Sequence, residues 1–376
     1  MTSPSGSRWS GPLLTGVQVP ELDLPDWIGQ RTSTFRFEAV DIVTGYRTVI
    51  NPIADTTPVI VHDTGRTITR TITGLQFGVT DTAILDSIRT RLYPWMWAAD
   101  RYWPLGVYVF STQNRLRLTA GVRSTGAFYD QMFIVDQQAE TSFGNPDTFF
   151  TPAAPAGIPV QFGLDQLLSG LPITYTIEPT PFRSIGVWPA GTSRGQIAEQ
   201  LALDGDHLSP WFDHSGVLRF IRSFDPATAA ATFDLDSGNR VLRDPVPLET
   251  DDLITAPNRV IVIGNAALSA AAAATPTVGR YDIPSSAPHS IANRGFVIPQ
   301  VINRQVQDTI QAQAIAQNIG QRLTVFERVE LSTAPDPRHD SYDVIRWQGH
   351  NWLEIAWSLP LREGEPMRHV LRRAYL

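Results

Sequence analysis

A candidate nucleophile lies at Ser193, because residues 191–195 read GTSRG and match the G-x-S-x-G pattern of a nucleophile elbow. In an esterase or hydrolase, Ser193 would attack a carbonyl carbon, and the sequence supplies these partners: Asp204, Asp206 or Asp213 to orient a base, and His289 as the base. The elbow needs a parallel α/β sheet and an upstream oxyanion-hole segment, and the sequence indicates neither. Ser193 and Gln196 also form the capping-box pattern of a helix start, which is the interpretation we favour.

Aspartate and histidine side chains are concentrated in two short stretches, DGDH at 204–207 and DH at 213–214. Both residue types ligate metals. However, the sequence contains neither two histidines four residues apart on a helix nor a twelve-residue calcium loop ending in Glu. Since Asp and Gly favour exposed turns, we predict turns and loops here rather than a metal site.

Four aromatic side chains, Trp95, Trp97, Tyr102 and Trp103, lie close together in the sequence. Tryptophan is common in cores and at protein interfaces, so we favour core packing or a partner surface over carbohydrate recognition. We therefore predict no catalytic residue, no metal ligand and no cofactor, and a protein that is not an enzyme.

The composition of the 376-residue chain excludes several classes of site. It has no Cys, which rules out disulfides, thiolate metal sites and a Cys nucleophile. All 30 basic residues are Arg, so a Walker-type phosphate lysine and a Schiff-base lysine are also excluded. A net charge of −7 argues against tight general DNA binding, and no apolar run reaches the ~20 residues of a membrane span.

The elements that would position these side chains are mostly strands. Phe35, Phe37 and Ala39 alternate with charged residues, the period of a half-buried strand. Helices are predicted over about 80–94, 193–203 and 308–323, the first from Ile84, Ile88 and Leu92 at helical spacing with Pro94 as its stop. A hairpin is predicted over 211–220, and further strands at 258–264, 325–331, 343–347, 351–357 and 367–373.

The order of five segments resembles that of the baseplate or tail-tip hub proteins of tailed phages, a family that includes the N-terminal part of siphophage tail-associated proteins and the hub half of type VI secretion spikes. The segments are YDQMFIVDQQ (129–138), the helix and hairpin of 191–220 with Pro210, Phe212, Asp213, Gly216 and Leu218, ETDDLITAPNRVIVIGNA (249–266), QAQAIAQNIGQRL (311–323) and DPRHDSYDVI (336–345). The resemblance covers roughly residues 30–376.

This resemblance implies a mainly β (α+β) fold with two tail-tube-like β-barrel domains, each carrying a helix, and smaller middle domains. The expected division is a flexible N-terminal arm (1–30), a first barrel (31–135), middle hub domains (136–250) and a last barrel (251–376). Because the chain stops just after its last predicted strand, we expect any lytic or receptor-binding activity to belong to another protein.

The resemblance also implies a function and a set of partners. We expect a homotrimer whose six barrels form a pseudo-hexameric ring, which adapts the sixfold tail tube to a threefold tip and lines or closes the DNA channel. Its neighbours would be a distal tail protein above, the tape-measure protein C-terminus in the lumen, and tip, receptor-binding or central fibre proteins below. Genomic DNA would pass without specific binding, and no stable membrane insertion is expected.

The implied location is the distal end of a virion tail. The absence of Lys indicates a high-GC bacterial host, in whose cytoplasm the protein would be made. The alternatives are a Ser193-dependent esterase or cell-wall hydrolase at the tail tip, and a glycan- or receptor-binding tip protein that uses the 95–103 aromatics.

Overall fold

The computed structural model describes residues 34–52, 56–66, 68–77, 89–98, 101–118, 121–140, 143–144, 157–236, 241–242, 247–251, 256–264, 277–306, 308–323 and 327–373. Strands predominate and helices are few, so the mainly β fold class is confirmed. The N-terminal part contributes β1 (Thr34–Asp41), β2 (Arg47–Ile50), β3 (Val59–Asp63), β4 (Arg70–Thr73), β5 (Gln76–Phe77), β6 (Thr90–Ala98), β7 (Arg101–Pro104), β8 (Tyr108–Leu118) and β9 (Gly121–Asp130).

The middle of the chain alternates short helices and short strands. In order these are α1 (Met132–Val135), β10 (Ile158–Pro159), α2 (Val160–Leu168), β11 (Thr174–Ile177), β12 (Arg183–Ser184), α3 (Arg194–Asp204), β13 (Trp211–Phe212), β14 (Val217–Phe220), β15 (Phe233–Asp234) and β16 (Leu248–Asp251). The remainder contributes β17 (Arg259–Gly264), β18 (Thr277–Asp282), α4 (Ile291–Arg294), β19 (Pro299–Arg304), α5 (Thr309–Leu323), β20 (Glu327–Thr333), β21 (Val344–Trp347), β22 (His350–Pro360) and β23 (Met367–Arg373).

One large sheet joins the two ends of the chain. Its strand order is β16-β20-β23-β22-β3-β4-β9-β8-β6-β1-β2, and the antiparallel pair of β22 with β3 connects the C-terminal strands to the N-terminal ones. The core beneath this pair is also shared, because Trp357, Leu359 and Met367 pack with Phe37 and Phe77. The sequence predicted strands at both ends but gave no indication that they form one sheet.

The predicted helix over 80–94 is wrong at its C-terminal end. Residues 89–98 include strand β6, in which Leu92, Pro94, Met96 and Ala98 are buried in alternation with half-buried neighbours. This period of two places one face of β6 in the core and overrides the helical spacing of Leu92. The preceding part of the prediction, residues 80–88, lies outside the described residues.

The other two predicted helices and the hairpin are confirmed. Helix α3 begins after Ser193, and helix α5 begins after Asp308, whose Oδ1 accepts from the Gln311 backbone N at 2.8 Å. Strands β13 and β14 pair antiparallel around the turn that Gly216 closes at a φ of +82°. Apolar residues of α2, α3 and this hairpin form a separate core: Val160, Leu164, Leu167, Leu168, Ile197, Ala198, Leu201, Ala202, Phe212, Leu218 and Phe220.

A three-stranded sheet, in the order β18-β17-β19, packs against α5. Two glycines permit the close approach: a Cβ on Gly279 would lie 2.1 Å from the Ala312 carbonyl oxygen, and a Cβ on Gly320 would lie 2.1 Å from Tyr281 Cδ1. Within the described part of the chain, no helix combines the length and the apolar character needed to cross a membrane.

Candidate functional site

Ser193 is the N-cap of helix α3. Its backbone is extended (φ −63°, ψ 134°), and its Oγ accepts a hydrogen bond from the Gln196 backbone N at 3.2 Å. The same hydroxyl donates to Asp136 Oδ1. The hydroxyl is thus engaged by a cap and by a carboxylate, and neither partner is the histidine that a nucleophile requires.

His289 lies elsewhere, in the buried segment that precedes α4. Burial, and to a smaller extent the nearby Arg294 charge, lowers its pKa to about 4. The structure therefore does not bring Ser193 and His289 together as a nucleophile and base.

Asp204 ends helix α3 and is fully buried at a meeting point of several elements. Its Oδ2 accepts from Ser184 Oγ at 2.6 Å, and its Oδ1 accepts from the Gln305 backbone N at 3.3 Å. Gln311 of α5 donates through Nε2 to the Asp204 carbonyl oxygen at 2.7 Å. Burial raises the pKa of Asp204 to about 7, against the lowering effect of the Ser184 hydrogen bond. Asp204 therefore fastens α3 to β12 and α5.

The other members of the Asp/His stretches point to different partners. Asp206 Oδ2 accepts from Asn318 Nδ2 at 2.5 Å, whereas His207 Nε2 lies 2.9 Å from the Glu178 carbonyl oxygen. Asp213 opens the β13–β14 turn, where its Oδ1 accepts from the Val217 backbone N at 3.0 Å and its Oδ2 accepts from Arg219 Nε at 2.7 Å. Asp213 lies in a turn, as predicted, but the expected exposure is wrong: Asp204 ends a helix, and Asp204, Asp206, His207 and Asp213 are all buried where elements meet.

The four aromatics of 95–103 lie on the hairpin of β6 and β7. Trp97 and Tyr102 are directly paired across the two strands, with ring centroids 4.8 Å apart. Trp103 packs against the large core and its Nε1 donates to the Ala98 carbonyl oxygen at 3.0 Å, whereas Tyr102 is 41% exposed. These contacts lie within the sheet and against its core, and Tyr102 is also exposed at the surface.

An ionic junction that sequence reasoning missed connects distant parts of the chain around the buried Arg70. It consists of Arg70, Asp130, His214 and Asp340. Arg70 is 1% exposed and its guanidinium binds the Asp340 carboxylate, which also lies 3.5 Å from His214 Nδ1. The four residues come from β4, the end of β9, the β13–β14 turn and the loop before β21. The junction therefore ties the first, middle and last parts of the chain together.

Arg70 and Asp130 are buried, whereas the side chains of Asp340 and His214 are 19% and 30% exposed. Burial alone would raise the pKa of Asp340, but the Arg70 guanidinium and the His214 contact lower it below the ordinary value. Asp130 accepts from the Arg70 backbone N at 3.0 Å and from Thr69 Oγ1 at 3.1 Å, while burial raises its pKa to about 6.

The loop of residues 334–343, which carries Asp340, also docks on the middle part through Tyr342. Tyr342 has a φ of +62°, a conformation that L residues rarely adopt. Its ring lies edge-on to Trp211 with centroids 5.1 Å apart, and its hydroxyl donates to the Ser209 carbonyl oxygen at 3.5 Å. The available sequence signal was the density of charged residues in DPRHDSYD, which is unusual beside apolar strands.

Comparison with known structures shows the fold. The 43 kDa tail protein of prophage MuSo2 from Shewanella oneidensis aligns over 90% of this chain and 98% of its own, with a TM-score of 0.55 and 10% identity. A tail protein from Neisseria meningitidis aligns over 91% and 97%, with a TM-score of 0.55 and 14% identity. The chain has the fold of prophage tail proteins.

A third prophage tail protein has the same likeness to the chain. The prophage tail protein gp18 from Listeria monocytogenes aligns over 90% of this chain and 94% of its own, with a TM-score of 0.54 and 9% identity. No protein-family model and no curated protein sequence matches the chain. The likeness therefore concerns the fold, and it agrees with the resemblance stated from the sequence.

Proposed function

We propose that this protein is a structural hub of a phage tail tip and not an enzyme. The observation that carries the proposal is the end-to-end alignment with three tail proteins, each of which is covered over 94–98% of its length. Because the alignments cover 90–91% of this chain, they include the order of most of its elements rather than one common β module.

The internal contacts suit a scaffold. The shared sheet and the ionic junction fasten distant parts of the chain to one another. These contacts favour a rigid subunit, which a structural ring requires. The Ser193 hydroxyl is occupied by its cap and by Asp136, which argues against the esterase alternative.

In this proposal three copies form a pseudo-hexameric ring, to which each copy contributes two barrel-like units drawn from 31–135 and 251–376. The ring sits at the distal end of the virion tail, between the sixfold tube and the threefold tip. Its partners are a distal tail protein, the tape-measure C-terminus and tip or central fibre proteins. DNA passes through the ring without specific binding, which the net charge of −7 favours, because counterion-releasing basic contacts would hold it.

The test is the native mass of the purified chain by light scattering, followed by class averages of the particles. The proposal expects a particle of three chains with pseudo-sixfold density on one face. If the chain alone is monomeric, it is mixed with the distal tail protein of the same phage, and the same measurement is repeated. A monomer under both conditions contradicts the ring.

A further inference from the structure

A buried cluster of one glutamate and two histidines lies within the C-terminal strands. Glu354 is on β22, His369 is on β23, and His339 is in the loop that precedes β21. Glu354 Oε2 lies 2.8 Å from His339 Nδ1, and Glu354 Oε1 lies 2.5 Å from His369 Nδ1. One ligand atom from each residue lies within 4.8 Å of the others, and all three side chains are buried.

The ring of His369 is held by two contacts. Its Nε2 lies 2.8 Å from Thr333 Oγ1, and its Nδ1 faces Glu354 Oε1. Thr333 Oγ1 also lies 2.8 Å from the Ala334 carbonyl oxygen. These contacts direct Nδ1 of His369 at the glutamate carboxylate.

Either a proton or a metal ion fills the position between His369 Nδ1 and Glu354 Oε1. Two imidazoles and one carboxylate form a known zinc donor set, and an outer hydrogen bond such as that of Thr333 is the feature that orients metal-ligating histidines. Phe233, stacked on the His339 ring with centroids 4.0 Å apart, holds the other imidazole in place.

We propose that His339, Glu354 and His369 supply three of the four ligands of one zinc ion, and that a water molecule supplies the fourth. Ligands of a tetrahedral zinc lie ~3.3 Å apart, given bonds of ~2.0 Å. Each glutamate–histidine pair would therefore separate by less than about 1 Å, and a ligand pair as wide as 4.8 Å would close by about 1.5 Å. The ion would cross-link β22 and β23 to the loop that carries Asp340. The proposal is independent of the hub function.

The test uses the full chain, freed of metal by a chelator and titrated with zinc chloride by calorimetry, with bound zinc counted by elemental analysis. The variants are Glu354→Gln and His369→Gln, and the matched control is His350→Gln, an exposed histidine at the start of β22. We expect one zinc per chain, unchanged binding in the control, and an affinity at least about 100-fold lower in both ligand variants, since even outer-shell changes cost 10–100-fold.

A measurement on the parent chain alone covers the case in which the variants do not fold. Its melting temperature is compared in zinc and in chelator, and the proposal expects the higher value in zinc. Two results overturn the proposal: a parent chain that retains no stoichiometric zinc and melts at the same temperature in both, or ligand variants that bind zinc as the parent does. In either case a proton fills the position between His369 and Glu354.

Discussion

Removing the charge of Asp340 should destabilise the protein far more than removing a surface charge. Asp340→Asn leaves the Arg70 guanidinium buried without its counter-ion, and breaking a buried pair in this way costs about 3–5 kcal/mol. The Arg70 side chain is 1% exposed but that of Asp340 is 19% exposed. Because water reaches one partner, we expect the lower end of the range, about 3 kcal/mol.

The assay is urea unfolding followed by tryptophan fluorescence, which is informative here because Trp357 lies 5.3 Å from Arg70 Cζ. The matched control is Glu330→Gln, whose pair with Arg328 is 2.7 Å long with both side chains 49% exposed. The control should lower the free energy of unfolding by only about 0–1 kcal/mol.

A double variant separates the pair from other effects of the substitution. Arg70→Met combined with Asp340→Asn removes both charges, so its loss should be smaller than the sum of the two single losses by about 2 kcal/mol. A stabilising Arg70–Asp340 pair is refuted if Asp340→Asn lowers the free energy of unfolding no more than the surface control does. It is also refuted if the losses of the two single variants add up to that of the double variant.

Three further predictions follow from individual side chains. The pKa of Asp204 is raised to about 7 in the folded protein, so the unfolded chain loses this proton at a lower pH. The parent's free energy of unfolding should therefore fall by up to about 4 kcal/mol as pH rises from 4 to 8. Asp204→Asn should remove that part of the pH dependence in urea titrations. Ser193→Ala should lower the unfolding free energy by about 1 kcal/mol through the lost cap of α3, measured by the same titration, and a loss near zero would contradict the capping role. Gly320→Ala places a Cβ against Tyr281 and should lower the melting temperature through about 1–3 kcal/mol of overpacking, whereas Gln317→Ala on the exposed side of the same helix should not.

Local patterns were sufficient to predict much of the fold. Ser193 with Gln196, and Asp308 with Gln311, correctly marked two helix starts because capping depends on residues only three apart. The prediction of a helix through Leu92 was wrong because a helical period and a period of two overlap there. The period of two, in Leu92, Pro94 and Met96, places these side chains in the large core. Burial in a sheet formed by distant strands decided between them.

Neither buried polar cluster could be predicted in this way. Arg70 and Asp340 are 270 positions apart, and the pairing of β22 with β3 brings β4 near the loop before β21, because β4 pairs with β3 and β21 pairs with β22. His339, Glu354 and His369 follow at intervals of 15 residues, a spacing that is typical of no helix or strand period. Such contacts depend on the topology, which the local periodicity of the sequence does not contain.

The shared sheet limits how a hub built from this chain could open. Five residue pairs join β22 to β3, from Ala356 with Asp63 to Pro360 with Val59. Pulling the two ends apart would break this ladder and expose Trp357, Leu359 and Met367, which are buried against residues of the N-terminal strands. Exposing three such side chains costs about 1.5–3 kcal/mol each, before the ionic junction is counted. If the proposed ring opens for DNA, the movement must therefore occur between copies or in other segments, and not between the two ends of one chain.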